Sequence, residues 1–323
     1  MSEKKVAETL EIWSKDLTKV YGKKNTALTA VDKIALRVEP GIHGFLGPNG
    51  AGKTTTINML VGALSITAGE AKVRGHKAGS IGAKQLIGFL PQDPQFYNDM
   101  TGEEYLIYLG MLGGLSRRDA NQKAQELLHY FDIWDARNRV IGKYSGGMKQ
   151  KIGLAASLIH DPKILILDEP TANLDPIGRQ SIIDRIRELS GKISVFVSSH
   201  ILAEIEQMCD RVTMIDEGKI VVSDTIKRIK QEFIGNTYVL NTNKNEEIFQ
   251  QLQDDPNIVK LWLAEEDGEK VIHIIPKEAE MLQKKIPRLV IDNEAILYSF
   301  KRPEVSLQDI FMEVMVRKEE GEE

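Results

Sequence analysis

Gly47-Pro48-Asn49-Gly50-Ala51-Gly52-Lys53-Thr54-Thr55 fits G-x-x-x-x-G-K-[ST] at every fixed position, a pattern that holds phosphate. Each residue type has a chemical reason. Gly47, Gly50 and Gly52 let the backbone turn tightly and face its N–H groups inward as an anion nest. Lys53 adds a point charge able to reach the β- and γ-phosphates of a nucleotide, and the Thr54 hydroxyl is a ligand for Mg²⁺. A second group is Asp168-Glu169, which ends the apolar run Ile164-Leu165-Ile166-Leu167. An acid at the end of such a strand lies beside the phosphate loop in doubly wound folds, so Asp168 can hold Mg²⁺ directly or through water. Glu169, one residue on, is placed to polarise a water; the plainer alternative is a capping acid before the turn at Pro170. A third group is Ser145-Gly146-Gly147 at the start of a helical stretch, a second anion site by the same logic. One nucleotide needs one such nest, so the second makes sense facing the nucleotide of another molecule; a simple N-cap is the alternative.

The elements that position these groups follow from hydrophobic pattern. Gly44-Phe45-Leu46 reads as a short buried strand entering the loop, and residues 55–61 as the helix leaving it, with its N-terminus toward the phosphates. Strands are expected at 12–20, around the alternating Ile34, Leu36 and Val38, and near 71–74 and 87–90. Residues 95–160 change character, with helices at 103–112, 118–131 and 149–159, and read as a helical insertion between two parts of a sheet. The run 163–167 suits a central parallel strand buried on both faces. A helix (177–189), a strand (194–197), a helix (202–209) and two strands (212–215, 219–222) follow, an α/β alternation that ends near Lys230. Residues 236–323 form a separate small α+β unit whose order β-α-β-β-α-β suggests a ferredoxin-like sandwich, with a helix expected at 277–285. A last helix is signalled by the capping pair Ser306 and Asp309 and the apolar face Leu307, Ile310, Phe311, Val314 and Met315.

Length and charge bound the classes. A chain of 323 residues is comfortable for two domains, and 42% hydrophobic with 28% charged residues is ordinary globular composition. A net charge of −5 gives no electrostatic reason to expect nucleic acid. Cys209 is the single cysteine, so no intrachain disulfide can form and a reducing cytoplasm is expected. The charged start Met1-Ser2-Glu3-Lys4-Lys5 does not read as a signal peptide, and no apolar run approaches the roughly 18 residues a membrane span needs.

The order of these motifs resembles the ATP-binding subunits of ATP-binding-cassette (ABC) transporters over about residues 11–230. The phosphate loop is Gly47–Thr54; Leu90-Pro91-Gln92 looks like the glutamine loop; Tyr144-Ser145-Gly146-Gly147-Met148 like the signature; Ala172-Asn173-Leu174-Asp175 like the loop that crosses between subunits. His200 after Val197-Ser198-Ser199 looks like the switch histidine, and Tyr21 falls where the family stacks an aromatic on adenine. Two departures stand out, Tyr144 for the usual Leu and Met148 for the usual Gln; this form resembles the exporter branch that includes drug, antibiotic and lipid efflux ATPases. The resemblance implies a P-loop NTPase cassette with a RecA-like core and helical subdomain, and ATP and Mg²⁺ as ligands. Thr54, Gln92 and Asp168 would attend the metal, Glu169 would be the general base, and His200 with Gln92 would sense the γ-phosphate. It further implies a head-to-tail homodimer on ATP binding, in which Ser145 and Gly147 of one copy cover the other's γ-phosphate. It implies a separate membrane permease that holds the subunit on the inner face of the cell membrane. Phe96, Tyr97, Met100, Tyr105, Tyr108 and Leu109 would supply core and part of a docking groove for it. The alternative function is a soluble cassette ATPase acting on a non-transport partner; such proteins usually carry two cassettes or a long coiled coil, and this chain shows neither.

Overall fold

The computed structural model describes residues 9–22, 26–233, 237–266, 268–302, 306–308 and 310–311, in two compact units, Met1–Ile226 and Lys227–Glu323. The first unit opens with β1 (Ile12–Tyr21), β2 (Leu28–Ile34), β3 (Arg37–Val38) and β4 (Ile42–Leu46), then α1 (Lys53–Val61), β5 (Ala68–Val73), β6 (His76–Lys77), α2 (Ile81–Leu86) and β7 (Ile87–Leu90). A helical stretch follows, α3 (Gly102–Leu112), α4 (Arg117–Tyr130) and α5 (Gly146–Leu158). The unit closes with β8 (Ile164–Asp168), α6 (Pro176–Glu188), β9 (Ser194–Ser199), α7 (Leu202–Met208), β10 (Arg211–Asp216) and β11 (Lys219–Thr225).

Six strands make the sheet that carries the phosphate loop, in the order β11-β10-β4-β9-β8-β7, parallel except for the edge strand β11. β4 and β8 are buried at every position, which is why their sequences run apolar rather than alternate. Phe45 and Phe196 meet at 5.3 Å between ring centroids and share one apolar cluster with Ile57 and Leu60 of α1. That packing fixes α1, and with it the phosphate loop, against the strand ends. The helical stretch enters between β7 and β8, which are neighbours in the sheet, so it projects without interrupting strand pairing.

An antiparallel sheet of β2-β1-β5-β6, with β3 also on β1, lies earlier in the chain. The single strand expected around Ile34, Leu36 and Val38 is two strands with a gap. Ser14 explains the gap: its buried hydroxyl donates to the Ile34 carbonyl (3.1 Å) and accepts from the Leu36 N–H (2.8 Å), replacing ladder bonds. α2 has no counterpart in the sequence reading because it buries only Ala83 and offers no apolar stripe; its start is set by Ser80, whose hydroxyl accepts from Ala83 N–H.

The boundary falls after the first residue of α8 (Ile226–Phe233), and the second unit continues as β12 (Tyr238–Thr242), α9 (Asn245–Leu252), β13 (Ile258–Glu266), β14 (Glu269–Pro276), α10 (Ala279–Asp292) and β15 (Leu297–Lys301). Its sheet runs β13-β14-β12-β15 with every neighbour antiparallel. Ile248 and Leu252 of α9 and Leu282, Ile286 and Val290 of α10 pack with Tyr238, Leu240, Ile272 and Ile274. α10 outruns the expected 277–285 because that buried stripe continues through Pro287; packing outweighs the helix-breaking tendency of the proline. At the tail, the Ile310 N–H donates to the Ser306 carbonyl (3.2 Å), and Leu307 and Ile310 are buried. Asp309, Val314 and Met315 of the expected last helix lie outside the described residues.

The phosphate loop and the strand-end acids all lie in the first unit. A chain ended after Lys230 is therefore expected to bind ATP with the affinity of the full chain. Titration calorimetry checks this; loss of binding by a folded truncation would contradict the division.

Candidate functional site

The phosphate loop leaves β4 and turns into α1 in a conformation only glycine tolerates in places. A Cβ on Gly47 would stand 2.2 Å from the Ile215 carbonyl oxygen, so backbone crowding excludes a side chain there. Gly50 (φ 85°) and Gly52 (φ 103°) hold left-handed backbone, with open space where a Gly50 side chain would go. No side chain caps the N-terminus of α1. Its first N–H groups are therefore free to meet an anion. Lys53 is buried, its Nζ donating to the carbonyls of Gly47 (2.8 Å) and Pro48 (3.0 Å) and lying 3.5 Å from Glu169 Oε1. Burial lowers the Lys53 ammonium below its ordinary pKa, and the carboxylates of Glu169 and Asp168 oppose that shift.

The two strand-end acids go to different places. Asp168 is the last residue of β8 and buried; its Oδ1 accepts from Ser198 Oγ at 2.6 Å. Burial raises its pKa above the usual carboxylate value, and the nearby hydroxyls of Ser198 and Thr54 counter the rise. Glu169 leaves the strand with φ 49°. That left-handed turn costs about 1–2 kcal/mol for a residue with a side chain. It is held by the Glu169 N–H donating to Ser198 Oγ (2.9 Å) and the Ala172 N–H donating to the Glu169 carbonyl (3.0 Å). The turn carries the Glu169 carboxylate away from Asp168 and into a cleft of about 530 Å³. There Glu169 Oε2 accepts from Gln92 Nε2 (3.3 Å) and meets His200 Nδ1 (3.1 Å), while Oε1 faces Lys53.

Lys53, Thr54, Thr55, Asn49, Gly50, Gly52, Gln92, Glu169 and His200, all expected from the sequence, line that one cleft. Ala51 is buried behind the loop, its N–H donating to the Pro48 carbonyl (3.2 Å). Tyr21 is near but not lining: its hydroxyl is 3.5 Å from Thr55 Oγ1, and Lys19 Nζ lies 5.3 Å from the centre of its ring. Ser145, Gly146, Gly147 and Asp175 are not brought to the cleft. Ser145 caps α5, accepting from Met148 N–H (3.3 Å), and a side chain on Gly147 would meet open space. Asp175 caps α6, accepting from Gly178 N–H (3.2 Å). The unusual Tyr144 is buried and its hydroxyl donates to the Ala136 carbonyl (2.9 Å), a strut behind the turn that leaves Ser145 and both glycines as they are.

Thr171, Arg179, Ser198 and Ser199 escaped the sequence reading as site residues. Ser198 serves both acids at once, and the others line the cleft. The available signal was Ser198-Ser199 at the end of an otherwise apolar strand. Among the described residues no three His, Cys, Asp or Glu side chains cluster as metal ligands. Thr54, Asp168 and Gln92 each offer a hard oxygen, the donor type that suits Mg²⁺ shared with a substrate's phosphates. Cys209 is buried and its thiol is pushed up in pKa by burial, so it takes no part.

The ABC transporter family profile matches residues 31–172. The chain is 45% identical over 216 residues to the uncharacterized ABC transporter ATP-binding protein YxlF of Bacillus subtilis, covering 67% of this chain and 72% of that protein. It is 34% identical over 308 residues to the bacitracin transport ATP-binding protein BcrA of Bacillus licheniformis, covering 93% of this chain and 95% of that protein. A solved ATP-binding subunit of an ABC transporter superposes with a TM-score of 0.62 at 27% identity, covering 70% of this chain and 93% of the other.

Two glycine substitutions separate the demands of the loop. Gly47→Ala drives a Cβ into the Ile215 carbonyl and is expected to abolish ATP binding. Gly50→Ala meets only the left-handed backbone cost, about 1–2 kcal/mol, and is expected to weaken binding without abolishing it. ATP titration of both proteins, with thermal melts as the folding control, checks the order.

Proposed function

The chain belongs to the ABC transporter family, as an ATP-binding and ATP-hydrolysing subunit, and on that premise we propose that it powers export of a substrate through a separate membrane permease. The observation that carries the catalytic part is the meeting of Lys53, Gln92, Glu169 and His200 in one cleft, with a second glycine-rich helix start at Ser145–Gly147 left outside it. Export is supported by the relative named for bacitracin transport, which this chain matches over nearly its whole length. The soluble-ATPase alternative has no such support.

The steps follow from this chain's own groups. ATP lays its β- and γ-phosphates in the nest of residues 47–52, and Lys53 exchanges its loop carbonyls for phosphate oxygens. Tyr21 stacks on the adenine. Thr54, Asp168 and Gln92 would hold Mg²⁺, which would neutralise charge on the phosphates. Glu169 accepts the proton of the attacking water, and His200 and Gln92 report the γ-phosphate to their loops. A second copy, head to tail, contributes Ser145 and Gly147 over the γ-phosphate, with Asp175 near the crossing. Catalysis is positioning and charge stabilisation with little covalent work.

The permease contact falls on the helical stretch. Tyr97, Tyr108, Met111 and Leu112 are exposed, and Tyr97 meets Tyr108 edge to face at 5.7 Å. Phe96 and the buried Tyr105 stand behind them, also edge to face at 5.7 Å. Such a patch suits a cytoplasmic helix of the permease. No helix among the described residues is long and apolar enough to cross a membrane, so attachment to its inner face would run through that contact.

Glu169→Gln keeps size and hydrogen bonding but cannot accept a proton. It is expected to retain ATP affinity and lose roughly 10² to 10⁴ in turnover. Hydrolysis at the parental rate would remove Glu169 as the base. For export, co-expression with a multi-span membrane protein encoded beside this chain is expected to move the chain to the membrane fraction and change its ATPase rate. A chain that stays in the soluble fraction at an unchanged rate would speak for the soluble alternative.

A further inference from the structure

Glu204 of α7 is a buried carboxylate that no step above uses. Its Oε2 accepts two hydroxyl hydrogen bonds, from Thr171 Oγ1 at 2.6 Å and from Ser199 Oγ at 3.0 Å. Its Oε1 lies 3.3 Å from Arg179 Nε, an ion pair without hydrogen-bond alignment. The three partners belong to three segments. Thr171 is two residues after Glu169, in the loop that leaves β8. Ser199 is the residue before His200, and its hydroxyl also accepts from the Ile201 N–H (2.9 Å), so the turn around His200 closes on it. Arg179 is on α6 and lines the cleft.

We propose that Glu204 is a positioning residue for ATP hydrolysis, its carboxylate locking the loop that carries Glu169 to the loop that carries His200. The Thr171 bond is short at 2.6 Å, the Ser199 bond is ordinary, and both converge on one carboxylate oxygen shielded from water. Their effect is on the 3.1 Å approach of His200 Nδ1 to Glu169 Oε2. The hydrogen bonds and ion pair of Glu204 involve neither the phosphate nest nor Lys53, so this lock governs turnover and not binding. The inference rests on the roles given above to Glu169 and His200.

Glu204→Leu removes the acceptor at similar volume. It is expected to lower kcat about 10- to 100-fold, the scale of a misplaced catalytic group, with the Kd for ATP unchanged. Glu204→Gln keeps one oxygen for the two hydroxyls and is expected to recover much of kcat. In a His200→Ala background the Glu204→Leu loss should largely disappear, because the two residues act on one geometry. A parental kcat for Glu204→Leu, a parallel loss of ATP affinity, or losses that multiply in the double variant would each overturn the proposal. Should Glu204→Leu fail to fold, Thr171→Val carries the same test with one hydroxyl removed: reduced kcat at parental Kd supports the lock, and parental kcat overturns it. Glu169→Gln run alongside separates the two readings. Parental turnover there removes the base assignment itself, whereas an inactive Glu169→Gln beside an unaffected Glu204→Leu removes only the lock.

Discussion

A buried ammonium is the constraint on which the site depends. Lys53 lies out of solvent at the start of α1, and burying a charge is costly unless it is paired and hydrogen-bonded. The structure meets that demand with two loop carbonyls and the Glu169 carboxylate. Those carbonyls belong to the phosphate loop itself, so the cation holds closed the nest that awaits its anion. Glu169 also engages Gln92 and His200. A phosphate that takes over Lys53 therefore changes the surroundings of Glu169 and of both side chains that flank it in one event.

The frame that permits this is a sheet whose strand ends finish at one level. β4, β8 and β9 are neighbours in parallel register, with Leu46 beside Ser199 and Asp168 beside Ser198. The loop, the acids and the histidine therefore follow from three adjacent strand ends. Ser198 is the joint, donating to Asp168 and accepting from the Glu169 backbone, and it lets two consecutive acids point apart. The left-handed turn at Glu169 is local strain kept because the surrounding bonds over-determine it.

The chemistry-bearing residues were legible in the sequence because their types are few and their spacing is fixed by phosphate geometry. The buried strands were legible because they are apolar on both faces. What could not be read depends on contacts distant in sequence. Ser14 splices β2 and β3 across about twenty residues, α10 runs through Pro287 because its stripe is buried, and Glu204 finds Thr171 only after folding. A buried glutamate on a short helix looks in sequence like an ordinary surface acid. The separation of Ser145–Gly147 from the cleft has the same origin: sequence order gives both nests, and only the fold shows that one of them lies outside the cleft.

The central claim is that a complete site needs a second copy. Light scattering on the Glu169→Gln protein, with and without ATP, tests it most directly. The account predicts a mass of one chain without nucleotide and of two chains with ATP; a mass that is the same in both conditions would contradict it.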